Sequence, residues 1–214
     1  MLDPLARRFT SQVLGRGAGW LDRPRISPDG ITVLGIGLGL AAALCAALSV
    51  WPFALVLWLL SRLADGLDGT LARRRRGRDG TRDSGAGGFL DITGDFLVYG
   101  SFVVGVGLGT GGSLLPFMAV LLAYYVNGAA FLAFSSIAER TGNQVHDGRS
   151  LSFVGGLAGG TETVLVHALW CVLPFWAEQI GWVWSAVVAV SASQRVLSGY
   201  RTLRSGSEPG RGRR

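Results

Sequence analysis

The chain has 214 residues, of which 49% are hydrophobic and only 16% charged, against roughly a quarter charged in ordinary soluble domains. Its basic residues are all arginine and leave a net charge of +6. They border long apolar stretches instead of covering one face, which argues against nucleic acid as the partner. Residues 31–60, 96–137 and 151–173 are almost free of charge, and about 20 such residues suffice to cross a bilayer as a helix. These proportions exclude an ordinary soluble domain.

The first 25 residues are too polar for a secretory signal, and none is expected to be cleaved here. Leu2, Leu5, Phe9, Val13 and Leu14 form an apolar stripe opposite Arg7, Arg8 and Arg16, as in a helix lying at the membrane interface. A polar, frayed terminus is the alternative. Residues 1–26 are thus read as a cytoplasmic or interfacial segment, 27–204 as the membrane domain, and 205–214 as a disordered tail.

The predicted fold is all-α and integral to the membrane, with six transmembrane helices. They cover about 31–50 (stopping at Trp51-Pro52), 53–73, 87–108, 114–137, 151–173 and 180–203. Nearly every arginine lies before the first helix, between helices two and three, between four and five, or after the sixth. Basic short loops stay inside, so both termini and the acidic cluster described next are expected on the cytoplasmic face of a bacterial-type plasma membrane. Trp51, Trp176 and Trp182 suit an aromatic belt at the other boundary. Cys45 and Cys171 sit within apolar segments and read as core residues. The many glycines let helices approach closely; a dinucleotide-binding loop is excluded, because no strand precedes them.

Charges inside membrane helices need a reason. Asp65 and Asp68 lie three apart near the end of helix two, and Asp91 and Asp95 four apart near the start of helix three. Such spacings share one helix face, and antiparallel neighbours joined by one loop bring the two pairs to similar depth. Four converging carboxylates repel unless neutralised. All-oxygen ligands favour a hard divalent ion, Mg2+ or Mn2+, over zinc, and two such ions can grip a diphosphate. The alternative is a solvated helix end, with Asp91 and Asp95 favourable to the helix dipole.

These residues carry a family resemblance. Asp65 to Arg73 reads DGLDGTLAR and Gly87 to Asp95 reads GGFLDITGD. The sequence resembles the CDP-alcohol phosphatidyltransferase family, whose signature is D-x2-D-G-x2-A-R, a spacer, then G-x3-D-x3-D. Asp65, Asp68, Gly69, Ala72, Arg73, Gly87, Asp91 and Asp95 fill every fixed position. The spacer departs from the pattern: residues 74–86 make thirteen, against about eight or nine in the family.

The resemblance implies transfer of a phosphatidyl, or substituted phosphate, group from a CDP-linked lipid donor to an alcohol acceptor, with release of CMP, in phospholipid synthesis. It implies that Asp65, Asp68, Asp91 and Asp95 hold two divalent cations, and that Asp95 is also the general base. Gly69 and Arg73 would meet the cytidine and diphosphate, and Ser84 and Gly87 would lie beside the nucleotide. Pro28, Asp29 and Thr32, in SPDGIT, resemble a cytidine-contacting stretch; a helix cap is the equal alternative there. The family suggests a homodimer.

Arg149, Glu162 and Arg195 are candidates for binding the acceptor, with Glu162 expected mid-membrane and Arg195 able instead to snorkel to the surface. His146 and His167 receive no chemical role. Tyr124, Tyr125 and Asn127 line a pocket or simply pack. In the run Arg73–Arg76 with Arg78 and Arg82, only Arg73 has a position-specific role, the rest serving as positive-inside charge. Two rival readings are an intramembrane prenyltransferase and a cation or proton transporter using the buried acids. Sequence alone does not name the acceptor alcohol.

Overall fold

The computed structural model describes residues 14–23, 25–79, 85–141 and 158–206, and among these there is no strand. Helix α1 covers residues 14–21. It is followed by α2 (Pro28–Ala47), α3 (Trp51–Asp79), α4 (Ala86–Thr110), α5 (Leu115–Thr141), α6 (Gly160–Val172), a 3-10 turn (Pro174–Trp176) and α7 (Ala177–Gly206). Helix α2 packs along both α3 and α4, α5 lies along α7, and α6 rests on α3.

Local chemistry explains the starts and turns. Ser27 caps α2, its hydroxyl accepting from the Gly30 N–H at 3.0 Å, with Pro28 in the first turn. Contrary to the sequence expectation, Trp51-Pro52 does not close the preceding helix but opens α3. Proline fits a first helical turn because the N–H it lacks has no partner there. Helix α2 stops instead at Ala47, and Ser49 takes a left-handed conformation, φ 60°, with its hydroxyl donating to the Gly109 carbonyl at 2.6 Å. At the same end of the bundle, Glu178 accepts from the Ser113 N–H at 3.0 Å and ties the α4–α5 turn to α7.

Helices α2 and α4 touch backbone to backbone. A Cβ on Gly105 would collide with the carbonyl oxygen of Ala43, so only glycine permits this approach. The centre of the core is aromatic. Trp58, Phe102, His167 and Trp170 are fully buried, with the His167 ring 4.6 Å from that of Trp58, 5.3 Å from Phe102 and 5.0 Å from Trp170.

Among the described residues, four helices are long and apolar enough to cross a membrane: Pro28–Ala47, Ala86–Thr110, Leu115–Arg140 and Pro174–Arg204. Two of the six expected spans fall short for different reasons. Helix α3 is 29 residues long, but Arg62, Asp65 and Asp68 interrupt its apolar part. Helix α6 begins only at Gly160 and has 13 residues. Residues 151–157, expected to begin that span, lie outside the described residues. Gly159, extended at φ −97° and ψ 178°, is the N-cap, and glycine pairs at 155–160 disfavour helix. Glu162 therefore sits in the first turn of α6, not mid-helix as expected. Large apolar side chains face outward along α2, α3, α5 and α7, among them Leu44, Phe53, Leu122 and Val183. An apolar outer surface suits lipid.

The expected interfacial segment is described only from residue 14. Leu14 and Ala18 of α1 pack on the Gly66–Leu71 face of α3. Just beyond α1, Asp22 accepts from Arg75 Nε at 3.0 Å and Arg78 Nη1 at 2.9 Å, with Arg74 Nε 3.5 Å away. The arginine run thus has specific structural partners besides a general charge role. At the other end, α7 continues through Gly206, two residues into the tail expected to be disordered.

Candidate metal and diphosphate site

The last apolar turns of α3 and the first turns of α4 face one another beneath the N-terminus of α2. Asp65 and Asp68 come from α3, Asp91 and Asp95 from α4, and all four line one small cleft with Thr32, Gly35, Ile36, Gly94 and Arg62. The i, i+3 and i, i+4 spacings turn each pair toward the other helix. Asp65 faces Asp91 and Asp95 across this cleft. Asp68 is almost fully buried, and Thr32 donates its hydroxyl to Asp68 Oδ2 at 2.6 Å. Close helix packing sets this depth: the Ile36 side chain occupies the place a Cβ on Gly94 would need.

Arg62, one turn before Asp65, supplies the opposite charge. Its Nη1 donates to Asp95 Oδ1 at 2.6 Å and stands 3.9 Å from Asp65 Oδ1. Its Nη2 donates to the Ser61 hydroxyl at 3.1 Å, which in turn donates to the Gly35 carbonyl at 2.7 Å. The guanidinium carbon lies 4.8 Å from the Tyr99 ring centre and 5.2 Å from that of Trp58, a cation–π arrangement. The carboxylates are grouped around this guanidinium: among the described residues no three His, Cys, Asp or Glu side chains are gathered closely enough to hold one ion. As a donor set, four carboxylates suit hard divalent ions, and the Arg62 guanidinium brings positive charge to the same cleft. The buried Arg62 Nε has no hydrogen-bond partner, so its donor capacity is only partly used.

The other candidates separate clearly. Pro28 and Asp29 form the first turn of α2, so the cap expected as one alternative is present. Asp29 Oδ1 would be 3.4 Å from a Cβ on Gly87, which brings the starts of α2 and α4 together. Arg73 donates to the Thr70 hydroxyl at 3.3 Å and lies back over Gly69, where a Cβ would be 3.3 Å from its Nη1. Both residues follow Asp68 along α3, and neither is among the residues that line the acidic cleft. Ser84, Arg149 and His146 lie outside the described residues.

Arg195 is buried at 9% exposure and does not snorkel; its guanidinium carbon is 5.8 Å from the Phe131 ring centre. It shares with Asp95 a second cavity of about 350 Å3 between α4, α5, α6 and α7, lined also by Tyr99, Tyr124, Asn127 and Thr163. Glu162 is not among that cavity's lining residues. Tyr124 accepts from Trp184 Nε1 at 2.7 Å and meets His167 Nε2 at 3.0 Å, so the buried histidine orients a cavity residue. Arg62 is the site residue that escapes a sequence reading centred on carboxylates. Its signal is present nonetheless: a charge in an apolar stretch, on the face of Asp65.

A family model described as CDP-alcohol phosphatidyltransferase matches residues 25–193. The chain is 41% identical over 188 residues to "Inner membrane protein YnjF" of Escherichia coli (strain K12), covering 86% of this chain and 88% of that one. It is 32% identical over 112 residues to the "Bifunctional IPC transferase and DIPP synthase" of Thermococcus kodakarensis, covering 52% of this chain and 24% of that longer protein. In fold it is similar to Mycobacterium tuberculosis phosphatidylinositol phosphate synthase (PgsA1). The structure of that synthase with CDP-DAG bound gives a TM-score of 0.69 at 19% identity, covering 88% of this chain and 94% of that one. Its complex with manganese and citrate gives 0.69 at 20% identity, covering 94% and 96%.

Proposed function

Because the chain belongs to the CDP-alcohol phosphatidyltransferase family, and is therefore an enzyme of that class, we propose that it transfers a phosphatidyl group from a CDP-linked lipid to a small alcohol at the cytoplasmic edge of the membrane. The observation that carries this reading is the convergence of Asp65, Asp68, Asp91 and Asp95 on one cleft from two helices. The solved relatives with CDP-DAG, or with manganese, in their titles support a CDP-lipid donor and a divalent cation. The family match displaces the prenyltransferase and transporter readings.

The four aspartates would hold two divalent cations, which when bound would stabilise charge on the diphosphate. The chain's own residues have distinct tasks. Thr32 fixes one oxygen of Asp68, leaving the other to face the cleft. Gly69 keeps a path open along α3 for the nucleotide, and the planar fork of Arg73 faces diphosphate oxygens. Pro28, Asp29 and Gly87 would border that path, and Ser84 stays a candidate nucleotide contact from the family pattern.

Asp95 lies on the boundary between the acidic cleft and the 350 Å3 cavity. It would take the proton of the acceptor hydroxyl there. The hydroxyl oxygen forms the new bond to the lipid-linked phosphorus, the bond from that phosphorus to CMP breaks, and CMP leaves. Arg62 holds Asp95 in the orientation this requires. Arg195, at the same cavity, would pair with an anionic group of the acceptor, with Arg149 and Glu162 as its further candidate contacts. Positioning and fixed charge supply the rate, without a covalent intermediate.

Helices α3 and α6 complete a six-span arrangement in this reading. The first part of α3 exposes Phe53, Val56, Leu59 and Leu60 as a lipid-facing helix does, and the arginine-rich ends favour both termini inside. The decisive experiment is CMP release from CDP-diacylglycerol by purified protein across a panel of alcohols. Release that requires Mg2+ or Mn2+ and stops with EDTA is expected; release indifferent to EDTA would overturn the metal assignment.

A further inference from the structure

The cavity beside Asp95 is walled by α4, α5, α6 and α7, and at about 350 Å3 it suits a small polar molecule. Most of its polar lining is already engaged within the protein. The Tyr124 oxygen accepts from Trp184 and meets His167. Thr163 donates to the Gly159 carbonyl at 2.9 Å. The Tyr99 ring lies under the Arg62 guanidinium.

Asn127 differs. It sits on α5 in the same wall, and its side-chain oxygen is buried without a hydrogen-bond partner. A buried amide oxygen is costly to leave unpaired, and buried polar atoms in folded proteins are nearly always matched. The next residue, Gly128, has no Cβ because the Phe96 ring fills that place, which pins this turn of α5 against α4. The carboxamide is therefore held at the cavity by packing on its own backbone. Sequence alone allowed it to be plain packing; an unpartnered acceptor in a cavity lined by Asp95 and Arg195 is a poor packing residue.

We propose that Asn127 selects the acceptor, its carboxamide oxygen taking a hydrogen bond from a second donor group on the alcohol whose reacting hydroxyl meets Asp95. This rests on the transfer reaction proposed above and deepens it. The molecule that fits has three features: a hydroxyl to react, an anionic group for Arg195, and a further hydroxyl or ammonium hydrogen for Asn127. A simple monohydric alcohol lacks the last two. Phosphorylated polyols and hydroxy-amino acids both possess all three, and the donor is what they share.

The test compares wild type, Asn127→Leu and Asn127→Asp in CMP release from CDP-diacylglycerol, with sn-glycerol 3-phosphate, inositol phosphate and L-serine as acceptors. The leucine variant keeps the side-chain size and loses the acceptor oxygen. For whichever acceptor wild type uses, it is expected to raise KM at least tenfold, with a smaller change in kcat and an unaltered KM for CDP-diacylglycerol. The aspartate variant keeps an oxygen and adds charge. It is expected to retain an ammonium-bearing acceptor and lose a phosphorylated one, which distinguishes the two sources of the donor. Should the leucine variant not fold, Asn127→Ala removes the same oxygen with a shorter side chain.

An acceptor KM within twofold of wild type in the leucine or alanine variant would overturn the role of Asn127 and leave the transfer reaction standing. No CMP release by wild type with any of the three acceptors would overturn the transfer reading, and this assignment with it.

Discussion

Arg62 of α3 and Asp95 of α4 are joined by a 2.6 Å ion pair, the shortest charged link between the two helices that carry the acidic pairs. The same guanidinium nitrogen stands 3.9 Å from Asp65. One cation thus balances carboxylates from both sides of the cleft.

Arg62→Gln removes that balance. Carboxylates left facing one another should lower the melting temperature in EDTA by on the order of 5 °C. Divalent ions should then stabilise the variant more than wild type, because they no longer compete with the guanidinium. Thermal melts of detergent-solubilised protein with EDTA and with Mn2+ measure both quantities. An equal loss in the two conditions would show that Arg62 serves packing alone.

Asp95→Asn, which removes the proposed base along with one metal ligand, should cost more in turnover than in donor binding. Loss of a general base lowers turnover by about 10^2 to 10^4, while Asp65→Asn should weaken donor and metal binding as well. CMP release gives the rate, and the shift in melting temperature on adding CDP-diacylglycerol gives the binding. Full turnover by Asp95→Asn would remove it from the role of base.

Gly105→Val tests the contact between α2 and α4. Its side chain would meet the Ala43 carbonyl, and overpacking of this kind costs roughly 1–3 kcal/mol. A fall in melting temperature of about 3–10 °C is expected. Gly77→Ala is the contrast: nothing lies within 4 Å of the position, and alanine favours helix over glycine by up to about 1 kcal/mol. That variant should melt no lower than wild type.

Asp22 sets a pH dependence at the docking of α1. The hydrogen bond from Arg75 holds its carboxyl below the ordinary value of 3.8, with the charges of Arg78, Arg75 and Arg74 acting in the same direction against the effect of burial. For a depressed carboxyl, the stabilisation is fully present above the unfolded value and is lost as pH falls through the folded one. Hydrogen-exchange protection of residues 14–21, corrected for intrinsic rates, should therefore be level from about pH 5 to 8 and decline below about pH 4. Asp22→Asn should show the low protection throughout, and high salt should weaken the wild-type contact.

The acidic pairs are legible in sequence because their geometry is local. Three- and four-residue spacings settle which helix face each occupies, and the short separation of the two helices in sequence makes them antiparallel neighbours whose faces meet. Arg62 obeys the same local logic as Asp65 and is found only by asking what balances the carboxylates. The clamp on Asp22 is of another kind: its arginines lie 53 and 56 residues further on, a separation for which no periodicity gives a signal. Trp51-Pro52 is ambiguous for a physical reason, since proline fits the start of a helix as well as the turn before it. The placement of Glu162 depended on where a glycine-rich segment becomes helical, and Gly159 resolves it. Sequence leaves Asn127 between pocket and packing, because an unpaired oxygen is defined only by what surrounds it.

The pairing of α5 with α7, apart from the packed trio α2–α4, has an evolutionary consequence. The residues proposed for the nucleotide and metals belong to the trio, whereas Asn127 and Arg195 belong to the pair. Acceptor preference can therefore drift by exchange of residues in one half without disturbing the chemistry housed in the other. A graft of α5 and α7 from a relative with a different alcohol is the natural route to a new headgroup.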